Sequence, residues 1–244
     1  MISFLNSCEK LCFNKQGCIE TKIRANDLSY GRGFSFLSIW AEKEGNEVYT
    51  VICKFEDTVF ISASEKTNYP QLKEFLQTVG FSSVQASPRV ISRLGFSSFK
   101  TFSCLSLEKT SQKTVSPTCD SSLSFIKSAY DVLYSAPEKN LQPVDFEGFY
   151  VDISHRIRHG TAYIEAYKES SVALISHIDG CSAVISGVMT LKEKRGLGYG
   201  SELLKKIAQK FSSKKLFVIT DEATENFYKI NGFKKTEEIG IYRR

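Results

Sequence analysis

Six residues, Arg195-Gly196-Leu197-Gly198-Tyr199-Gly200, carry the densest chemical signal in the chain. Three glycines in six positions let successive backbone N–H groups approach a ligand with no Cβ in the way. A helix beginning just after them adds its positive end, and the combination is a socket for phosphate. Arg195 closes the run Lys192-Glu193-Lys194-Arg195 and is the residue expected to add charge, although a basic run is by default a solvated face. A P-loop nucleotide site is excluded, because Gly200-Ser201-Glu202 supplies neither the phosphate lysine nor the usual metal arrangement.

Such a loop needs a strand to feed it and a helix to follow it. The apolar, β-branched run from Cys181 to Leu191 reads as a buried strand, and from Ser201 onward Leu203, Leu204, Ile207 and Phe211 recur at helical spacing. Beyond that helix the pattern predicts a strand over Leu216 to Thr220, a helix over Glu222 to Ile230, an Asn231-Gly232-Phe233 turn and a last strand to Tyr242. Upstream, helices are expected at Ser122 to Tyr134 and Asp145 to Arg158, followed by strands at Thr161 to Tyr167 and Val172 to Ile178.

The first hundred residues read differently. A helix over Phe4 to Phe13 is expected, then a meander of strands at Phe34 to Ala41, Glu47 to Phe55 and Thr58 to Ser62, with turns at Gly45-Asn46 and Glu56-Asp57. Pro70 starts a helix carrying Leu72, Phe75, Leu76 and Val79 on one face and stopping at Gly80. A short strand to Ala86, a small helix over Arg89 to Leu94 and a strand over Phe99 to Leu107 follow. The polar stretch from Lys109 to Ser122 is the best boundary, which divides the chain into 1–108, a linker 109–121, and 122–244.

Composition sets the frame. The 244 residues, 42% hydrophobic and 12% aromatic, suffice for a folded core in one large domain or two ordinary ones. The 7 Cys are odd in number and form no Cys-x-x-Cys pair, and Cys8, Cys12 and Cys18 have no matching His cluster, so they read as free thiols and no metal is expected. With no apolar leader and no run of ~20 apolar residues, a cytoplasmic protein with no membrane partner is expected. A net charge of +5, scattered except near the glycine loop, argues against a nucleic-acid partner and for a local anionic ligand.

The chain also echoes itself. Pro88-Arg-Val-Ile-Ser-Arg-Leu-Gly-Phe-Ser-Ser-Phe-Lys resembles Glu225-Asn-Phe-Tyr-Lys-Ile-Asn-Gly-Phe-Lys-Lys-Thr-Glu, each preceded by a helix and a short strand. Duplication and a chance recurrence of a common pattern stand level on this match alone. In the first half, Lys66-Thr67-Asn68-Tyr69-Pro70 occupies the place of the glycine loop, and proline has no N–H to offer a pyrophosphate.

Val188-Met-Thr-Leu-Lys-Glu-Lys-Arg195-Gly-Leu-Gly-Tyr-Gly200-Ser is similar to the acetyl-CoA loop of the GCN5-related N-acetyltransferases (GNAT), with Arg195, Gly198 and Gly200 at its signature positions. Asn226-Phe-Tyr228-Lys-Ile-Asn-Gly232-Phe233, about thirty residues on, resembles the family's second signature. The resemblance covers roughly Ser122 to Arg244, and the first half matches as a degenerate copy.

It implies an α/β (α+β) fold, with a mixed, mainly antiparallel central sheet flanked by helices, preceded by a smaller degenerate GNAT-like domain. It implies acetyl-CoA as co-substrate, held by the strand backbone at Val188, Met189 and Thr190 and by Arg195, Gly196, Leu197, Gly198, Tyr199, Gly200, Ser201 and Asn226. Tyr228 would be the general acid for the departing thiolate. The alternative for Tyr228 is a core aromatic beside Phe227, with its hydroxyl satisfied elsewhere. Asp221 stands where many relatives carry Asn. Glu165, His177, His155 and His159 lie on elements expected near an acceptor cleft, and none is assigned as the base.

The function implied is acetyl transfer to an unknown amine, small molecule or protein, by direct attack in a ternary complex. The competing reading is a non-catalytic acyl-CoA sensor or interaction module.

Overall fold

The computed structural model describes residues 1–5, 16–45, 47–110, 117, 119–135 and 145–244, residue 32 by its backbone only. In chain order the first elements are β1 (Ile2–Leu5), α1 (Cys18–Tyr30), β2 (Leu37–Glu44), β3 (Glu47–Phe55), β4 (Thr58–Ala63), α2 (Tyr69–Val79), β5 (Ser83–Ala86), α3 (Pro88–Arg93) and β6 (Phe99–Leu107). Then come α4 (Leu123–Leu133), α5 (Phe146–Arg158), β7 (Tyr163–Tyr167), β8 (Ser171–Ile178), β9 (Ser182–Thr190), α6 (Tyr199–Lys210), β10 (Lys215–Thr220), α7 (Glu222–Ile230) and β11 (Lys234–Arg243).

Two compact units result, and they do not follow the linear order of the chain. One comprises Met1–Leu105, Ile219–Glu225 and Lys235–Arg244, and the other Ser106–Val218 and Asn226–Lys234. The final strand falls in the first unit, where Gly240 to Arg243 pair antiparallel with Ala86 to Ser83 of β5. Gly240 permits this approach: a Cβ there would meet Ile91 Cδ1 at 2.8 Å and Phe99 at 3.1 Å.

In the first unit the strand order is β1-β2-β3-β4-β5-β11-β6, and in the second it is β10-β9-β8-β7. Each unit contains one strand–helix–strand crossover with a parallel pairing, β4-α2-β5 in the first and β9-α6-β10 in the second. The remaining pairs described are antiparallel, β2-β3, β3-β4, β7-β8 and β8-β9 as hairpins and β1-β2 and β5-β11 between strands farther apart in the chain. The core of the first unit is built around Ile52, Ile61, Leu72, Leu76 and Ile91, and that of the second around Ile126, Leu133, Phe149, Ile153 and Val172.

Local signals placed most elements. Ser122 and Asp145 cap α4 and α5 by accepting from Phe125 N and Gly148 N, and Asn68 caps α2 by accepting from Gln71 N. Two differences stand out near the N-terminus. Phe4 and Leu5 are in strand β1, paired with Trp40 and Ile39 of β2, rather than in a helix, and the rest of the expected Phe4 to Phe13 helix lies outside the described residues. Helix α1 was not legible, because it buries Glu20, Thr21, Lys22, Asn26, Asp27 and Ser29 along with its apolar residues and so has no one-sided apolar stripe. Asn46 and most of the expected linker, residues 111–116 and 118, also fall outside the described residues.

Candidate functional site

Strand β9 loses one neighbour half-way along its length. On one side β8 accompanies it from Ala183 to Thr190, while on the other β10 pairs only with Ser182 to Ile185. Among the described residues no strand lies against that edge of β9 beyond Ile185. The register with β8 slips at the same level, leaving Ser186 on β9 and Ser176 on β8 as extra residues. Such bulges bend a strand and re-aim its edge. The hydroxyls of Ser176 and Ser186 bond to each other, and Ser176 Oγ lies 2.6 Å from His177 Nδ1.

The open edge leads to the glycine loop. After a short 3-10 turn at Lys192–Lys194, Gly196 and Gly198 both take left-handed backbone, with φ of +81° and +79°. That is the region where a Cβ is penalised. Gly198 is the N-cap of α6, and it has no side chain with which to satisfy the helix's first N–H groups. Among the described residues, none accepts a hydrogen bond from the N–H groups of residues 196–201. These N–H groups are therefore open donors at a helix N-terminus, next to the exposed Lys192, Lys194 and Arg195.

Arg195 folds back on the strand end, with Nε donating to Thr190 O at 3.1 Å and Nη2 lying 4.0 Å from Met189 Sδ. Tyr199 packs edge-on against Tyr167 at 5.4 Å, with Lys168 Nζ 4.9 Å from the Tyr199 ring centroid, so the loop is flanked by cations on aromatic faces. Leu197 is exposed, and Ser201 is half-buried in the first turn.

Helix α7 supports the loop from behind. Gly200 faces Phe227, and a Cβ at Gly200 would lie 3.1 Å from Phe227 Cζ. Tyr228 is buried beside Phe227 and Phe233, edge-on to both at 5.1 and 5.8 Å, and Asn226 is exposed. Asp221 serves as the helix cap, its Oδ1 accepting from Thr224 N at 3.0 Å and from Thr224 Oγ1 at 2.6 Å.

The other titratable candidates have structural partners. Glu165 is buried in an ion pair with Lys210 and accepts from Tyr163 OH at 2.8 Å. Burial pulls the Lys210 pKa down, but its bonds to Glu165 and Tyr163 outweigh this and hold it above the ordinary lysine value. His155 and His159 stack at 4.1 Å on α5, with His159 Nδ1 against His155 O at 2.9 Å. Cys119 is tied to the β7 edge, Ile164 N donating to its Sγ at 3.4 Å, and burial pushes its thiol pKa up. No group of three or more His, Cys, Asp or Glu side chains among the described residues could hold a metal ion.

Residues 139–242 match the family described as Acetyltransferase (GNAT) domain. The C-terminal half carries a GNAT domain. A tandem GNAT protein from the clavulanic acid biosynthesis pathway matches along 100% of this chain and 98% of its own, with a TM-score of 0.55 at 10% identity. A GCN5-related N-acetyltransferase from Kribbella flavida gives 0.57 at 12% identity, over 93% of this chain and 95% of its own. A GNAT-family acetyltransferase from Colwellia psychrerythraea gives 0.51 at 12%, over the whole of both chains. No curated protein matches at a significant level.

These full-length likenesses show the fold: a mixed α/β, tandem GNAT-like arrangement in which the first half is a second GNAT-like part. The echo itself falls on α3 into β6 and on α7 into β11, and each follows a parallel strand–helix–strand crossover, β4-α2-β5 and β9-α6-β10. No helix among the described residues is long and apolar enough to cross a membrane.

Sequence reasoning found the loop and α7 but missed what joins them. Phe227 behind Gly200, the bulge at Ser186 and the cationic Lys168 beside Tyr199 all depend on which elements lie side by side. Only the second signature, by including Phe227, gave a hint.

Proposed function

We propose that this protein transfers an acetyl group from acetyl-CoA to an amine. The observation that carries this reading is the end of β10 pairing at Ile185, which leaves the β9 edge open immediately before an uncapped glycine N-terminus. The open edge at Val188 to Thr190 suits an extended arm bearing amides, because such an arm pairs with a strand through backbone bonds alone. The N–H groups of residues 196–201 suit a pyrophosphate. Arg195, Tyr199, Ser201 and Asn226 border that region and complete the cofactor contacts.

The chemistry is direct attack. A neutral amine adds to the thioester carbonyl, the carbon–sulfur bond breaks, and the departing thiolate takes a proton from the Tyr228 phenol. The amine gives up its own proton to water or to a base not identified. Glu165 is engaged elsewhere, its Oε2 accepting from both Lys210 Nζ and Tyr163 OH. Among the described residues the first unit has no equivalent socket: Asn68 N donates to Glu42 Oε2 at 3.3 Å and Gln71 N to Asn68 Oδ1 at 3.1 Å. With donors spent and a carboxylate present, one cofactor site per chain follows.

A calorimetric titration with CoA, beside a screen of amines for CoA release from acetyl-CoA, tests the proposal. Binding with turnover is expected. Binding without turnover of any amine would favour the sensor reading, and no binding would overturn both.

A further inference from the structure

The bulge between β8 and β9 connects two hydroxyls and an imidazole in series. Ser186 is the first residue of β9 beyond Ile185, where pairing with β10 stops, and it is exposed. Its hydroxyl bonds to that of Ser176, which is 9% exposed, and Ser176 Oγ lies 2.6 Å from Nδ1 of the half-buried His177. A buried serine between these strands has a simpler option: Ser171 Oγ donates to Met189 O at 3.2 Å. Ser176 is instead bonded to side chains on both sides, so a path of hydrogen bonds runs from the open edge of β9 to an imidazole.

The path has a direction. A serine hydroxyl has one proton to donate and lone pairs with which to accept. When His177 is neutral and protonated on Nε2, Nδ1 takes the Ser176 proton, so Ser176 accepts from Ser186. Ser186 then faces outward with lone pairs only, ready to accept from an N–H. When Nδ1 carries a proton every bond reverses, and Ser186 turns a donor outward. The exposed end therefore accepts a proton when the inner end is free to receive one.

We infer that Ser186 takes the proton that the amine loses on adding to the thioester, and passes it through Ser176 to Nδ1 of His177. This rests on the acetyl-transfer reading, in which an arm held from the glycine loop back along Thr190 to Val188 brings its thioester end toward residue 186. Ser186 touches the amine, while Ser176 and His177 act through it. One N–H bond breaks on the amine and one forms on Nδ1, the two hydroxyls exchange protons, and nothing is oxidised or reduced. His177 gives the proton to solvent before the next turnover, and an imidazole suits that end because it gains and loses a proton near neutral pH.

Ser186 is exposed, so it can be changed without disturbing the core. With n-butylamine as acceptor and CoA release as the readout, Ser186→Ala in the full chain should lower kcat about 10²-fold while the CoA Kd by calorimetry is unchanged. Ser186→Thr, which keeps the hydroxyl, should recover most of the loss. Ser176→Ala and His177→Asn should each cost as much as Ser186→Ala, and the two together no more than either, since a path broken once loses nothing by a second break. Long-range proton–nitrogen NMR of the ring should show neutral His177 as the Nε2–H tautomer, and as a mixture in Ser176→Ala. A wild-type kcat in Ser186→Ala, a loss that Ser186→Thr does not recover, or an Nδ1–H tautomer in the neutral wild type would overturn the relay alone. A wild type that binds CoA but releases none with n-butylamine, spermidine or a lysine peptide would overturn the acetyl-transfer reading and the relay with it, so the two failures are told apart.

Discussion

Gly200 and Phe227 are in contact such that an alanine Cβ at position 200 would lie 3.1 Å from Phe227 Cζ and 3.4 Å from Cε2. The glycine therefore does more than free an N–H: it sets how closely the loop helix approaches α7. Gly200→Ala gains about 0.8–1 kcal/mol of helix propensity and loses about 1–3 kcal/mol to crowding, a net loss of about 0–2 kcal/mol, so the melting temperature should fall by a few degrees. The displaced helix start should weaken CoA binding about fivefold, or about 1 kcal/mol, by calorimetry. An unchanged Kd would show that this contact does not shape the socket.

Tyr228→Phe keeps a buried ring edge-on to Phe227 and Phe233. Stability and CoA affinity should hold, while kcat on any accepted amine falls about 10²–10⁴-fold, the usual contribution of a positioned acid. A kcat equal to that of the wild type would remove Tyr228 from the chemistry.

Glu165→Gln separates a structural carboxylate from a catalytic one. Breaking a buried pair costs about 3–5 kcal/mol, but Lys210 is 42% exposed and solvent reduces the loss to about 1–2 kcal/mol. The denaturant midpoint should drop while kcat stays within about twofold. A large kcat loss at unchanged stability would restore Glu165 as a base candidate.

Lys22 predicts a pH effect. Burial lowers its pKa below 10.5, with Cys18 and Cys104 acting in the opposite direction. Between the lowered value and 10.5 the unfolded chain binds more protons than the folded one, so this lysine makes the fold more stable as pH rises through that window. Cys104 runs the other way, its thiol pushed up by its bond to Cys18 and by burial, but it is common to both proteins. Lys22→Met should therefore exceed the wild type in stability at neutral pH, despite losing the bond to Gln85. The gap should close as pH approaches 10.5, read from urea melts at several pH values; a gap independent of pH would refute it.

What the sequence determined is what neighbours along the chain determine. Ser122 and Asp145 announced helix starts because an N-cap acts on an N–H two or three residues away, and Pro70 did so because its fixed φ suits a first helical turn. Gly196, Gly198 and Gly200 announced a loop whose backbone N–H groups no Cβ obstructs, while the left-handed φ of the first two emerged with the structure. Long-range pairing was decided by tertiary structure alone. The return of β11 to β5, the loss of the β10 neighbour beyond Ile185 and the burial of the polar face of α1 depend on partners far away in sequence. Periodicity records which face of an element is apolar, and carries no information about which strand or carboxylate will meet it.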